Sequence, residues 1–422
     1  MINNWNLDSN ATLVVEEIPY LKSVAVGIYI KVGSRHEPEH MAGASHFIEH
    51  MLFKGTGSRT ARDIAESFEG IGGQLNAFTA KEYTCIYART LDENCYEALD
   101  ILFDMIFNSS FSAKDFITEK GVVIEEINMY EDSPDDLIHD VFAQNLWDGN
   151  SMGWPILGTL DSVANFSRDD IYNFYKNCYQ PANLIISIAG NVKNEAIKAK
   201  IENCLSRPSQ LAVNIENPDS KTNLPFINLV EKDTEQVQLC IGGPSISYFD
   251  SNRYAQNVMN SILGGGLSSR LFQKMREELG LAYSVYSYPS NYSDTGSYAI
   301  YIGTSKNNVA RFFAALHEEL DLFISKGVTE AEVNRAQQLM KSNIYLGMES
   351  ATNRMSRIGK SMLMYGKIVP VEKVVEKVLA VTPEEVNNLA QNILNHKSLS
   401  MAAIGSKDIL SQVEQEFSHY FR

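Results

Sequence analysis

The stretch GASHFIEHMLFKGT, residues 43–56, crowds two histidines and a glutamate into five positions: His46, Glu49 and His50. On a helix, His46 and His50 are i and i+4, so their rings stack on one face a turn apart, as two imidazoles must to grip one metal ion. Glu49, at i+3 from His46, lies near the same face and can reach an activated water without being a ligand. Such a set suits metal-assisted hydrolysis, for which a metal usually keeps three protein ligands and one open position. A carboxylate on a facing element is therefore required. The stretch DFITEKGVVIEEINMYEDSPDD offers Glu119, Glu125 and Glu126 on one helix. Glu119 and Glu126 share a face, while Glu125 is turned about 100° away. Val122, Val123 and Ile127 accompany that face, so both acids are expected to point inward. Buried carboxylates without a partner are costly, which calls for a cation.

These residues need elements to position them. Residues 24–32, VAVGIYIKV, alternate as a strand does, and the histidine stretch follows as a helix closed by Gly55. TARDIAESFEGIGG predicts a short helix with Thr60 as its N-cap, and QLNAFTAKEYTCIYART resumes strand alternation. Helical periods follow at 93–109, 113–131 and 135–147, then the helix RDDIYNFYKNCY and the buried strand NLIISIAGNV. The polar segment SRPSQLAVNIENPDSKTNLP separates this half from the next. Beyond it the order restarts: strand VQLCIGG, helix NRYAQNVMNSILGGG, short helix SRLFQKMREELG, strands AYSVYSYPSNY and GSYAIYIGT, and a long helical stretch over 306–365. The echo, at a period of about 210 residues, predicts an internal duplication. The expected fold is α+β: two structurally similar domains, each a largely antiparallel sheet packed with helices. Their expected bounds are 1–210 and 226–422, with 211–225 as linker. Aligning the halves sets His46–His50 against NVMNSI, which has no histidine, so only the first half carries the polar set.

Bulk properties agree with a two-domain globular chain. At 422 residues it exceeds what one core usually organises. A formal net charge of −16 disfavours nucleic acid and anionic membranes as partners and mildly favours cationic peptides. The start MINNWNLDSNATLVVEE lacks a signal pattern, and no run of about 18 apolar residues occurs, so a cytoplasmic protein is expected. The five cysteines are scattered without CxxC spacing, so any metal must be held by nitrogen and oxygen.

The order HxxEH reverses the commoner HExxH and is the inverted zinc-peptidase signature. HFIEHMLFKGT, with EKGVVIEE on a later helix, resembles the pitrilysin/insulinase family of inverted zinc peptidases. The half-length, two-domain chain is similar to the branch that contains mitochondrial processing peptidase and its bacterial relatives. The resemblance implies a zinc endopeptidase that hydrolyses peptides or unfolded precursor segments, with one Zn²⁺ per chain held by His46, His50 and Glu126. Glu49 is then the general base and Glu119 a supporting acid. The segment around QLNAFTAKEYTC is similar to the family's edge strand, which implies that Asn76 and Ala77 face the substrate backbone. GGGLSSRLFQKMREELGLAYSV resembles its distal substrate-binding segment, which implies roles for Arg276 and Tyr283 in binding substrate and stabilising the oxyanion. Gly264, Gly265 and Gly266 resemble a short form of a glycine-rich loop found in one processing-peptidase subunit.

An extended peptide can pair with an edge strand through backbone hydrogen bonds, independent of its sequence. In the family four such domains enclose a chamber, which implies for this chain a homodimer with composite sites. Relatives that lost the zinc site serve as structural or peptide-holding subunits, and pairing with an inactive homologue is a further alternative. Loss appears as substitution in HxxEH or at the distal glutamate, and all four positions are intact here. The remaining polar features have plainer readings. His36 and His40 flank Pro38, which breaks the helix their spacing would need. His139, His317, His396 and His419 lack clustered partners in sequence and are expected at the surface or at caps. EDSPDD lacks the spacing of a calcium loop and is expected to be a solvated turn.

Overall fold

Two β-sheets organise the chain, and their central strands are apolar on both faces. The computed structural model describes residues 2–206, 217–218, 220–223 and 225–422, so most of the expected linker 211–225 lies outside the described residues. In the first sheet the strands are β1 (Ile2–Asn6), β2 (Thr12–Glu17), β3 (Ser23–Ile30), β4 (Gln74–Thr79), β5 (Thr84–Leu91) and β6 (Leu184–Gly190). Their order is β1-β2-β6-β3-β5-β4, antiparallel except where β2 meets β6. The second sheet contains β7 (Ile227–Glu231), β8 (Gln236–Ser245), β9 (Ala282–Asn291), β10 (Gly296–Ser305) and β11 (Ser400–Gly405), in the order β7-β11-β8-β10-β9. It too is antiparallel except for one pair, β7 with β11. Without β1, the first sheet has the same strand order as the second. The duplication is therefore visible in the topology.

Burial on both faces explains why β3 and β6 read as nearly continuous apolar runs. One face of the first sheet packs on helices that include Ala44–Leu52 and Cys95–Asn108. Its other face meets Ala351, Met355, Ile358 and Met362 of helix Ala351–Tyr365. The second sheet likewise takes Ile138, Val141 and Phe142 of helix Pro134–Leu146 on one face.

The compact units are accordingly discontinuous. One holds residues 1–128, 154–218 and 345–369; the other holds 129–153, 219–344 and 370–422. This differs from the division expected at the midpoint of the chain: helix Pro134–Leu146 lies in the second unit and helix Ala351–Tyr365 in the first. A helix's apolar stripe predicts that it will cover a sheet, but not which of two similar sheets.

The expected helical stretch over 306–365 is three helices, Val309–Lys326, Glu330–Gly347 and Ala351–Tyr365. Gly327, at φ 71, ends the first by entering the left-handed region. QLNAFTAKEYTCIYART folds as a hairpin of β4 and β5, closed where Ala80 N–H donates to the Tyr83 carbonyl at 2.8 Å. Thr60 does cap helix Ala61–Gly70, accepting from Asp63 N–H at 3.1 Å. Among the described residues no helix is long and apolar enough to cross a membrane. All five cysteines are free thiols.

Candidate metal centre

Helix Ala44–Leu52 carries the histidines, and its buried face is apolar: Phe47, Ile48, Met51 and Leu52 enter the core. Its start has no Ser, Thr, Asn or Asp cap. Gly43 stands there instead at φ 95, where a Cβ would lie 2.6 Å from the Leu157 carbonyl oxygen. The orphan N–H groups of Gly43 and Ser45 donate to the buried Glu37 carboxylate at 2.7 and 2.6 Å. Burial pushes the Glu37 carboxyl up to about 7, although those two N–H groups favour its charged form. An acid beyond the helix thus does the work of the missing cap and fixes the direction of the histidines.

His46 and His50 project from this helix with ring centroids 4.5 Å apart. Facing them, helix Ala113–Glu131 buries Phe116, Val123 and Ile127 and brings Glu119 and Glu126 to the same place. Glu126 Oε2 lies 3.4 Å from His50 Nε2 and 3.8 Å from His46 Nε2. One ligand atom from each of the three residues lies within 4.8 Å of the others. The His–Glu separations are long for hydrogen bonds but near the about 3.4 Å edge of a tetrahedron with metal–ligand bonds of about 2.1 Å. Glu125, on the same helix, is exposed. Val122, expected beside the inward acids, is 45% exposed; Ile124 packs against the core instead.

The protonation states suit ligation. His50 Nδ1 is 2.9 Å from Glu119 Oε1, which assigns the proton to Nδ1 and leaves the Nε2 lone pair toward Glu126. Glu119 is 2% exposed, and its other oxygen pairs with Lys54 Nζ at 2.6 Å. Burial pushes the Glu119 carboxyl up, but the hydrogen bonds and charges of His50 and Lys54 more than reverse this and hold it below the usual range. Burial, helped by His50, pushes the His46 imidazole down to about 3, so the ring is neutral with a lone pair to give. His46 Nδ1 is buried without a hydrogen-bond partner among the described residues. Two imidazoles and one carboxylate, with one ligand atom from each within 4.8 Å of the others, are a donor set that fits a zinc ion.

Glu49 lies beside the cluster and is not one of the three residues that could hold an ion. Burial raises its carboxyl above the ordinary range, against a hydrogen bond from Thr79 and the charge of His50, with Glu126 adding to the rise. Thr79 Oγ1 donates to Glu49 Oε2 at 2.6 Å. Thr79 ends β4, the edge strand of the first sheet, so Glu49 is tied directly to an open sheet edge. Because Ala80 N–H faces β5, the period of two puts the backbone groups of Phe78 and Asn76 toward β5 and those of Ala77 toward the open side. Asn76 Oδ1 accepts from the Ala77 N–H at 2.8 Å, in keeping with that alternation.

Arg276 and Tyr283 both belong to the second unit and contact each other. The guanidinium lies 4.5 Å over the Tyr283 ring and donates to the Tyr283 carbonyl at 3.0 Å. Tyr283 is 78% exposed at the start of β9, the edge strand in the position that β4 holds in the first sheet. Arg276 sits on Phe272–Glu278, expected as an ordinary short helix and wound instead as a π-helix, a form that recurs at functional sites. Gly264 has a packing reason, since a Cβ there would lie 2.5 Å from Ser287 N, whereas Gly266 meets nothing.

Three contributors are not singled out from the sequence: Glu37, Lys54 and Thr79. For Glu37 a weak signal exists, an acid shortly before a helix that has no cap residue of its own.

The chain is similar to known proteins in sequence and in fold. The family profile described as Insulinase (Peptidase family M16) matches residues 12–160, and the one described as Peptidase M16 inactive domain matches residues 165–340. A Bacillus subtilis protein described as the uncharacterized zinc protease YmxG is 42% identical over 395 residues, 93% of this chain and 96% of its own. A Streptomyces coelicolor protein described as the uncharacterized zinc protease SCO5738 is 37% identical over 415 residues, 96% of this chain and 89% of its own. Among solved structures, a protease from Helicobacter pylori matches at TM-score 0.88 and 19% identity, covering 96% of this chain and 99% of that chain. At that identity the likeness is one of fold.

Proposed function

The chain belongs to the insulinase family of peptidases, and from that premise we propose that it is a zinc endopeptidase of the inverted HxxEH type, cutting peptides held in extended form. The observation that carries this reading is the convergence of His46, His50 and Glu126 ligand atoms beside a buried Glu49 that is hydrogen-bonded to an open sheet edge.

His46, His50 and Glu126 would hold the ion. When bound, zinc supplies Lewis acidity that polarises the scissile carbonyl and makes water a nucleophile near neutral pH. Glu49 takes the proton of the attacking water and passes it to the leaving amine nitrogen. Its raised pKa brings it closer to the pH at which a base both ionises and returns its proton. Glu119 holds the His50 ring and its tautomer, and Lys54 holds Glu119. The substrate backbone pairs with β4, where the main chain of Ala77 faces outward and Asn76 lies beside it. The developing oxyanion needs donors besides the metal, and Tyr283 with Arg276 supplies them.

The protein acts as a homodimer in which the metal ligands come from one chain and Arg276 and Tyr283 from the other. What supports this is the exposure of Tyr283, a large aromatic held in place by Arg276 and left open to solvent. The five free thiols suit a reducing, cytoplasmic setting. Metal removal tests the reading. A chelator should abolish cleavage of a long unstructured peptide, and added zinc should restore it. Undiminished cleavage by metal-free protein contradicts it.

A further inference from the structure

We propose that His317, Asp321 and His396 form a second zinc-type metal site, a structural clasp within the second unit. His317 and Asp321 are i and i+4 on helix Val309–Lys326, which also buries Phe312, Phe313, Leu316 and Leu320. His396 opens the short turn His396–Ser398 that leads into β11. Sequence spacing joins only the first two; the fold brings the third.

The dimensions are close to those of the first centre, except that the two imidazoles approach different oxygens of the one carboxylate. His317 Nδ1 lies 3.4 Å from Asp321 Oδ2, and His396 Nε2 lies 3.6 Å from Asp321 Oδ1. The two imidazole centroids are 4.9 Å apart, and one ligand atom from each residue lies within 4.8 Å of the others. At the first centre the corresponding His–Glu distances are 3.4 and 3.8 Å, and the rings are 4.5 Å apart. Neither His–Asp separation is a good hydrogen bond, and one ligand atom from each residue within 4.8 Å of the others leaves room for a single ion among them.

A further observation points to a ligand. His396 Nε2 is buried and has no hydrogen-bond partner among the described residues, although it is directed at Asp321. Both rings are held by aromatic packing from the C-terminal helix Lys407–Phe421. His317 lies 5.2 Å from Tyr420, and His396 lies 5.2 Å from Phe421. Rings fixed in this way lose little freedom on binding an ion. Asp321 is half-exposed, so an ion has a path in and a fourth position open to water. An ion here would fasten helix Val309–Lys326 to the turn before β11 and stabilise the folded unit by mass action.

The test uses the full chain carrying His46→Gln and His50→Gln, which removes the first centre and separates this inference from the peptidase reading. Metal-stripped protein is titrated with zinc chloride by calorimetry and with cobalt chloride by visible absorption. Expected are about one equivalent of zinc per chain, tetrahedral cobalt bands, and a melting temperature raised by about 5–10 °C at a hundredfold excess over Kd. Adding His396→Asn or Asp321→Asn should abolish all three while far-ultraviolet circular dichroism stays unchanged. If the His396 variant fails to fold, the exposed Asp321 position decides. The proposal is overturned if the first-centre variant binds no zinc, or if binding survives Asp321→Asn.

Discussion

His50 shows how much one side chain depends on its neighbours. Its Nδ1 hydrogen bond to Glu119 selects the tautomer, Lys54 keeps Glu119 ionised, and only then does Nε2 offer its lone pair toward Glu126. The pairing of Glu119 with Glu126 is legible in the sequence, because a seven-residue spacing returns a helix to the same face. Thr79 is not legible, because strand alternation says which face a residue takes but not which helix it meets. Under the proposed mechanism its hydrogen bond sets the acid limb of the reaction. Glu49 works as a base only when ionised, so kcat/KM should fall as pH drops through its raised pKa. The Thr79 hydroxyl favours the ionised form, so Thr79→Val raises that pKa further. The pH profile of kcat/KM should then show its acid limb displaced to higher pH, with zinc content unchanged. An acid limb that stays in place would separate Thr79 from the base.

Among the elements, three meet at the candidate site: β4 presents an edge, and helices Ala44–Leu52 and Ala113–Glu131 present side chains. Helix Ala44–Leu52 was readable from its apolar spacing, although it ends at Leu52, before Gly55; its anchoring was not, since Glu37 sits outside it with no periodicity to announce it. The break of 306–365 into three helices is readable in retrospect at Gly327, whose positive φ ends a helix. The edge strand gives a prediction of its own. Ala77 N–H points away from β5 and, among the described residues, donates only to the exposed Asn76 side chain, which a substrate carbonyl can replace, so Ala77→Pro removes a donor from the open side without taking a rung from the sheet. Thermal stability should be nearly unchanged while KM for long peptides rises about 2–10-fold, the worth of a single hydrogen bond. Unaltered KM in a stable variant would argue against pairing of substrate with this strand.

For the whole molecule, the repeated order of elements revealed the duplication, and the two sheets repeat their strand order. The exchange of helices Pro134–Leu146 and Ala351–Tyr365 between the units was not readable, since two sheets of one design offer equivalent apolar faces. Only the first half has kept histidines on the helix that follows the long central strand, while the second half carries Arg276 and Tyr283 beside its own edge strand. A composite site in a homodimer predicts complementation. Chains bearing Glu49→Gln, mixed under exchange with chains bearing Tyr283→Phe, should recover activity that neither has alone, because heterodimers contain one intact site. No recovery despite demonstrated exchange would place both halves of the site in one chain. The central claim, that this metal cluster and Glu49 hydrolyse peptide bonds, is tested most directly by zinc content and peptide cleavage of the purified protein beside Glu49→Gln. Both proteins should bind zinc equally, and the variant should cleave about 10²–10⁴-fold more slowly. Absence of zinc from the wild-type protein, or a variant that cleaves as fast, would contradict the account.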